Sequence, residues 1–287
     1  MDFGFESTAE QVTAGVDLKG TNWLITGSNS GLGQESARVL AMRGAHILAA
    51  ARTSEKAAGA LALLGIEGTP IACELSDLGS VRAAVTAVAA TGRPLDGILA
   101  NAGIMALPTL KQQDGIELQF FTNHIGHFAL INGLLDQLTE TGRVVVLSSA
   151  AHYIVRDSGL ELDNLSGERE YHPWRMYGRS KLANVMFASA LTRRFAGTGR
   201  TANSLHPGVI LTNLARHVPN AEAMFSRMTL KTVQQGAATQ CYVAVHPEIS
   251  GISGKYFSDC QIKAPAAAAL DEAQAEALWR VSEELLG

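Results

Sequence analysis

From Asn22 to Ala100 the chain alternates short apolar runs with helix-compatible stretches, and no other feature limits its possible folds as strongly. Asn22 to Gly27, His46 to Ala51, Thr69 to Leu75 and Leu95 to Ala100 have strand length and few polar residues. Between them, Gln34 to Arg43, Ser54 to Leu64 and Ser80 to Ala90 read as helices. Strands that are apolar on both faces belong in a parallel sheet with helices on each side, joined by βαβ crossovers. Arg143 to Ser148, Arg200 to Leu205 and Lys255 to Ser258 extend the strands; Gly115 to Leu138, Met176 to Phe195 and Lys231 to Val245 extend the helices. The expected fold class is α/β: a doubly wound, mostly parallel, seven-stranded sheet flanked by helices, with ligands at the strands' C-terminal edge.

No internal repeat or low-complexity linker divides the 287 residues, so a single domain of Rossmann type is expected, with residues 1–20 as an N-terminal extension. Residues 213–230, which include the polar, Met-containing run from Asn213 to Met228, interrupt the alternation and are expected to form a substrate lid. A hydrophobic share of 47% with 17% charged residues fits a chain that buries a large core. The net charge of -4, with no long Lys/Arg block, argues against nucleic-acid or membrane partners. Cys73, Cys241 and Cys260 lack the spacing of a disulfide framework or a zinc site. Asp2, Glu6 and Glu10 do not fit a signal peptide, and no run of roughly 18 apolar residues occurs, so a cytoplasmic location is expected.

The first strand runs into Thr26-Gly27-Ser28-Asn29-Ser30-Gly31-Leu32-Gly33 and then a helix. Glycines at a strand-to-helix turn let the backbone approach a pyrophosphate, which the unpaired N–H groups of the helix N-terminus would hold. Packing alone also places glycines at such turns. One strand later, Ala49-Ala50-Ala51-Arg52-Thr53 carries a small residue where NAD-binding chains place an acid for the ribose 2′-hydroxyl, and a cation follows it. Arg52, with Lys56 one turn away and Ser28 or Asn29 from the glycine loop, is expected to hold a 2′-phosphate. The expected cofactor is therefore NADP(H) in preference to NAD(H).

Tyr177-Gly178-Arg179-Ser180-Lys181 sets a tyrosine and a lysine at i and i+4, on one helix face. By itself this spacing describes a solvated helix as well as a site. Its company matters: the glycine turn, Asn101-Ala102-Gly103 after a strand, Asn123, Ser148-Ser149 at a strand end, and His206-Pro207-Gly208 through Thr212. In this order, from about Leu18 to Phe257, these residues resemble the short-chain dehydrogenase/reductase family. Within it the chain is most similar to the retinol-dehydrogenase-like group, through Asp17-Leu18-Lys19-Gly20, Asn123-His124-Ile125-Gly126-His127-Phe128, Ser180-Lys181-Leu182-Ala183-Asn184 and Gly254-Lys255-Tyr256-Phe257.

The resemblance implies a catalytic tetrad of Asn123, Ser149, Tyr177 and Lys181. Tyr177 would exchange a proton with the substrate oxygen, Ser149 would orient that oxygen, Lys181 would hold the nicotinamide ribose, and Asn123 would anchor a water in a proton relay. A free tyrosine titrates near pH ~10, so the Lys181 ammonium and the oxidised nicotinamide would have to favour tyrosinate. Strand alternation lets one of Ser148 and Ser149 face the site, and the family pattern selects Ser149. The same resemblance puts Asn101, Ala102 and Gly103 at the adenosine ribose, and Pro207, Gly208, Val209, Ile210 and Thr212 at the nicotinamide. Glu74-Leu75 departs from it, since the family commonly has Asp before the apolar residue at the adenine.

The implied reaction is reversible conversion of an alcohol and a ketone or aldehyde by direct hydride transfer on an apolar small molecule. Reduction of an enone double bond and a non-catalytic NADP-binding sensor are the alternatives. Family members pair through helices that correspond to Gly115 to Leu138 and Met176 to Phe195, which implies a homodimer or homotetramer. Met105, Leu107, Trp174, Leu214, Met224, Phe225 and Met228 fit an apolar substrate pocket and plain core packing equally well. No metal is expected, because His124, His127, His152, His172, His206 and His217 lack a zinc-site spacing. Ser149 near His152 lacks the Gly-x-Ser-x-Gly elbow of a hydrolase.

Overall fold

The computed structural model describes residues 3–287. Among them, one sheet contains β1 (Asn22–Thr26), β2 (His46–Ala51), β3 (Gly68–Ala72), β4 (Leu95–Ala100), β5 (Leu138–Leu147), β6 (Thr201–His206), β7 (Tyr256–Ser258) and β8 (Gln261–Lys263). Their spatial order is β8-β7-β6-β5-β4-β1-β2-β3, and only β7 with β8 is antiparallel. The order reverses between β1 and β4, which opens a crevice above the C-terminal ends of those strands. The sheet has eight strands where seven were expected. The extra strand, β8, is exposed at Gln261, Ile262 and Lys263 and so carries no buried apolar pattern; its turn needs Asp259 and Cys260 at φ +53 and +60.

The main helices are α1 (Gly31–Met42), α2 (Ser54–Leu64), α3 (Leu78–Ala90), α4 (Gly126–Gly133), α5 (Pro173–Arg194), α6 (Ala238–Val245) and α7 (Glu272–Glu284). Alternate strand residues feed two helical layers, as the pleat requires. Trp23, Ile25 and Ile47 pack with Val39 and Leu40 of α1 and Val243 of α6. Leu24, Leu48 and Ile98 point the other way, onto Val81 and Val88 of α3 and Phe128 and Ile131 of α4. Each such fully buried side chain contributes about 1.5–3 kcal/mol of transfer free energy. The N-terminal extension is docked on this core: Thr8 and Gln11 form a capping box around a short helical turn whose Ala9 and Val12 are buried.

Three stretches differ from the expected elements. Gly115 to Leu138 is not one helix: it holds a turn Leu118–Phe120, a π-helical segment Phe121–Ile125, α4, and then the start of β5 at Leu138. The ladder between β4 and β5 shifts register between Leu95 and Gly97, where exposed Glu140 and Thr141 obscure the strand pattern. Lys231 to Val245 is split at Ala237, between Val233–Gly236 and α6. Beyond Ser258, α7 was not foreseen at all, although Asp271 caps it by accepting from the Gln274 N–H at 2.9 Å. Its Trp279 lies edge-on to Phe128 of α4 with ring centroids 4.8 Å apart, and packs on Phe187 of α5. α7 therefore covers part of the α4 and α5 surface through which pairing was expected.

Candidate active site

The glycine turn between β1 and α1 is built around Thr26. Its hydroxyl accepts from the backbone N–H groups of Asn101 (2.9 Å) and Ala102 (3.0 Å), and the Asn101 amide donates to the Thr26 carbonyl at 2.8 Å. Those bonds tie the end of β4 to the end of β1. His127 of α4 completes the node, with Nδ1 3.0 Å from the Asn123 carbonyl and Nε2 2.9 Å from the Thr26 hydroxyl. A carbonyl only accepts, so Nδ1 carries the proton and the Thr26 hydroxyl donates to Nε2. Burial pushes the His127 pKa down to about 4, which keeps this neutral form. Gly27 and Gly31 have φ of +68 and +54, and a side chain at Gly33 would collide with the Gly27 carbonyl. The backbone therefore presents a bare concave turn, which fits a pyrophosphate at the start of α1.

That turn forms one end of a cavity of about 870 Å³. Gly27, Asn29, Ser30, Gly31 and Leu32 line it, together with Arg52, Glu74, Leu75, and Asn101 to Gly103. Three expected cofactor residues stay off its wall. Ser28 is buried and its hydroxyl donates to the Ala50 carbonyl at 3.2 Å. Gly33 packs against the turn itself, and Lys56 is exposed on α2 outside the cavity. Glu74 reaches the cavity with its carboxylate tied to Ser76, accepting from the hydroxyl at 2.9 Å and from the N–H at 3.2 Å. Near Arg52 the cavity is also lined by Arg216, a cation the sequence did not single out. Burial and the nearby positive charge of Arg52 both lower its pKa. Nothing local marks Arg216; the turn Asn213–His217 brings it to the same wall as Arg52.

The catalytic candidates sit at the other end. The Ser148 hydroxyl donates to the Lys181 carbonyl at 2.7 Å, so it faces α5, and Ser149 is left beside the Tyr177 phenol. Lys181 donates from Nζ to the Leu147 carbonyl at 3.0 Å, sharing that oxygen with the Asn184 amide at 2.9 Å. Its ammonium lies 5.6 Å from the Tyr177 ring centroid. Tyr177 is 3% exposed and Lys181 4%. Burial governs both: it pushes the Tyr177 pKa up to about 12, with Ser149 pulling the other way, and the Lys181 pKa down to about 8. In the chain alone, burial outweighs the pull of Ser149 and keeps the Tyr177 phenol protonated near neutral pH.

Asn123 stands behind the cavity wall, fully buried in the π-helical segment. Its Oδ1 accepts from the Ile104 N–H at 2.8 Å, and its Nδ2 donates to the Ile104 carbonyl and the Ser180 hydroxyl, each at 2.9 Å. The side chain is thus committed to bracing Ile104, next to Gly103, and Ser180, next to Lys181. Pro207, Gly208, Val209, Ile210 and Thr212 all line the cavity. Lys231 fastens this segment from behind, through a backbone bond to the Val209 carbonyl (2.9 Å) and a buried ion pair with Asp259 (2.5 Å).

The expected lid roofs Tyr177. Ala215, Val218 and Phe225 pack with Met105, Ala106 and Ala151 over the Tyr177 ring. All seven residues expected of an apolar pocket line the cavity. Among them, Trp174 lies edge-on to Tyr177 with centroids 6.3 Å apart, while Met224 and Met228 are 37% and 51% exposed at the rim. No cluster of His, Cys, Asp or Glu able to hold a metal occurs among the described residues.

A hydroxyl and a phenol aimed into an apolar chamber, beside a buried ammonium and a phosphate-shaped turn, suit proton exchange at a substrate oxygen next to a dinucleotide. Comparison with known proteins identifies the family. The family model of the short chain dehydrogenases matches residues 21–158. The chain is 42% identical to short-chain dehydrogenase TIC 32 B, chloroplastic, of Brassica napus, over 99% of this chain and 94% of that one. It is 38% identical to human retinol dehydrogenase 14, over 94% of this chain and 87% of that one. Among solved structures, an uncharacterized protein of Mycobacterium paratuberculosis superposes with a TM-score of 0.78 at 34% identity, covering 98% and 97% of the two chains. A short chain dehydrogenase of Burkholderia cenocepacia in complex with NADP gives 0.69 at 27% identity, covering 84% and 96%.

Proposed function

The chain belongs to the short-chain dehydrogenase/reductase family, and from that premise we propose that it is an NADP(H)-dependent oxidoreductase interconverting an apolar alcohol and its ketone or aldehyde. The observation that carries this reading is one continuous cavity, with the glycine turn and Arg52 at one end and Ser149, Tyr177 and Lys181 under an apolar roof at the other. The nicotinamide supplies or takes the hydride when bound. Tyr177 gives its proton to the carbonyl oxygen as the carbon–oxygen π pair becomes the alcohol's, and takes one back in the reverse direction. Ser149 donates a hydrogen bond to the same oxygen, and the Lys181 ammonium holds the ribose hydroxyls. The roof of Trp174, Leu214 and Phe225 excludes water and favours a bulky apolar substrate.

Preference for NADP(H) rests on Arg52 and Arg216, two cations on one wall of the cofactor end, with a small residue, Ala51, where an acid would serve NAD. Lys56 and Ser28 do not line the cavity, so the reading leans on the two arginines. The cytoplasm is the compartment this reading retains; no helix among the described residues is long and apolar enough to cross a membrane.

The test is NADPH absorbance against aldehydes, aromatic ketones, their alcohols and an enone. Turnover of carbonyls supports the reading, turnover of the enone alone gives a double-bond reductase, and tight NADPH binding without any turnover gives a sensor. Arg52→Asp is expected to lower the NADPH-over-NADH preference by about tenfold to a hundredfold, the worth of one charged hydrogen bond. An unchanged preference removes Arg52 from the account.

A further inference from the structure

Two histidines outside the catalytic set hold the peptide bond that follows Ser149 from opposite sides. On one side, His152 Nδ1 lies 2.6 Å from the Ser149 carbonyl oxygen. On the other, the Ala150 N–H donates to His206 Nδ1 at 3.1 Å. His206 is the last residue of β6 and neighbours the end of β5, where the Ser148 N–H donates to the Leu205 carbonyl at 2.7 Å. His152 reaches on with Nε2, which accepts from the Ala266 N–H at 3.0 Å. Its ring is buried against Tyr256, with centroids 4.8 Å apart. Ala266 thereby becomes part of the site's support.

Elementary hydrogen-bond bookkeeping fixes both tautomers. A carbonyl accepts only, so His152 carries its proton on Nδ1, and Nε2 must be bare to receive the Ala266 N–H. His206 is the opposite case: Nδ1 must be bare to receive the Ala150 N–H, so its proton is on Nε2. We propose that His152 and His206 are positioning residues for Ser149, a pair of neutral imidazoles in opposite tautomers that fix the Ser149–Ala150 peptide and so aim the Ser149 hydroxyl at the substrate oxygen beside Tyr177. The inference rests on the proposed reaction for its functional part, and on the bonds just given for its structural part. Burial lowers the pKa of both rings, that of His206 to about 4, in keeping with neutral forms; Asp259 raises it, while Lys231 and His152 lower it.

The structural part is read by nitrogen NMR of the imidazoles in the whole protein at pH ~7. The expected result is Nδ1–H for His152 and Nε2–H for His206; the reverse tautomers, or a charged ring at either position, overturn the proposal. The functional part uses benzaldehyde with NADPH. His206→Leu and His152→Leu are each expected to lower kcat by about tenfold to a hundredfold, the cost of misplacing a hydroxyl by an ångström. The NADPH Kd should stay at its wild-type value. His206→Asn puts an amide oxygen, and His152→Asn an amide N–H, near the position of the lost Nδ1, so each is expected to restore most of kcat. Full activity in the Leu variants, or equal loss in the Asn variants, overturns the positioning role. Should a Leu variant fail to fold, the Asn variants and the tautomers decide alone. Tyr177→Phe run in parallel separates the two readings: wild-type turnover in that variant sinks the proposed reaction, and the tautomers then judge the peptide clamp separately.

Discussion

At the scale of single residues, the site turns on what burial does to two groups that titrate in the same helix. Tyr177 is driven up to about 12 and Lys181 down to about 8, so the free chain near pH 7 holds a protonated phenol and a charged lysine. In the proposed carbonyl reduction that phenol is the acid, and it stays protonated over the working range. Of the pair, Lys181 titrates first as pH rises, and in the proposed reaction its loss of charge would weaken the hold on the ribose hydroxyls. For reduction, kcat/KM for NADPH is therefore expected to be flat from pH about 6 to about 8 and to fall above, since that ratio reports the groups of the cofactor-free enzyme. Alcohol oxidation needs tyrosinate and should rise with pH over the same window. A reductive profile that instead climbs toward alkaline pH contradicts this assignment. That Tyr177, Lys181 and Ser149 lie together was readable from the order of the motifs and the family pattern. Arg216 was not, because its meaning lies in sharing a wall with Arg52, nor was the place of Lys56, exposed on α2 off the cavity wall.

At the scale of elements, the glycine turn and the π-helical segment set the distances. Within the glycine turn, Gly33 is the tightest point, where α1 presses on the Gly27 carbonyl. Gly33→Ala puts a methyl against backbone, with a cost of about 1–3 kcal/mol from overpacking. The expected outcome is a lower Tm and weaker NADPH binding measured by fluorescence titration, and wild-type values for both would show that the turn has slack. The strands His46–Ala51 and Leu95–Ala100 and helix Ser54–Leu64 were readable to the residue because their ends coincide with changes in polarity. The stretch Gly115 to Leu138 was not. Its buried polar residues Glu117, Gln119, Asn123 and His127 satisfy one another and the backbone, so a helical pattern hides a turn, a π segment and a strand start.

At the scale of the molecule, the parallel sheet follows from apolar alternation, whereas its closing elements depend on tertiary contacts. β8 is a short exposed edge, and α7 becomes intelligible only once Phe128 and Phe187 present an aromatic surface for Trp279. Glu276 adds ion pairs to Arg193 (2.8 Å) and Arg194 (3.0 Å) of α5, and the Arg194 guanidinium lies over the Trp279 ring. Because α7 covers part of this face, pairing of two copies through α4 and α5 would have to include α7 or use the remaining surface. Light scattering of the whole chain is expected to give the proposed homodimer or homotetramer, and a monomer would overturn that proposal. Trp279→Ala should cost about 3–5 kcal/mol as a large core truncation, read from denaturant unfolding. A loss under 1 kcal/mol would mean that α7 merely rests on the body.

The account stands most directly on one measurement: steady-state NADPH oxidation with an apolar aldehyde by wild type and Tyr177→Phe, with NADPH binding measured on both. The account predicts turnover by wild type, a fall of about 10²- to 10⁴-fold in kcat for the variant, as for loss of a general acid, and an unchanged NADPH Kd. Equal turnover in the two proteins would contradict it.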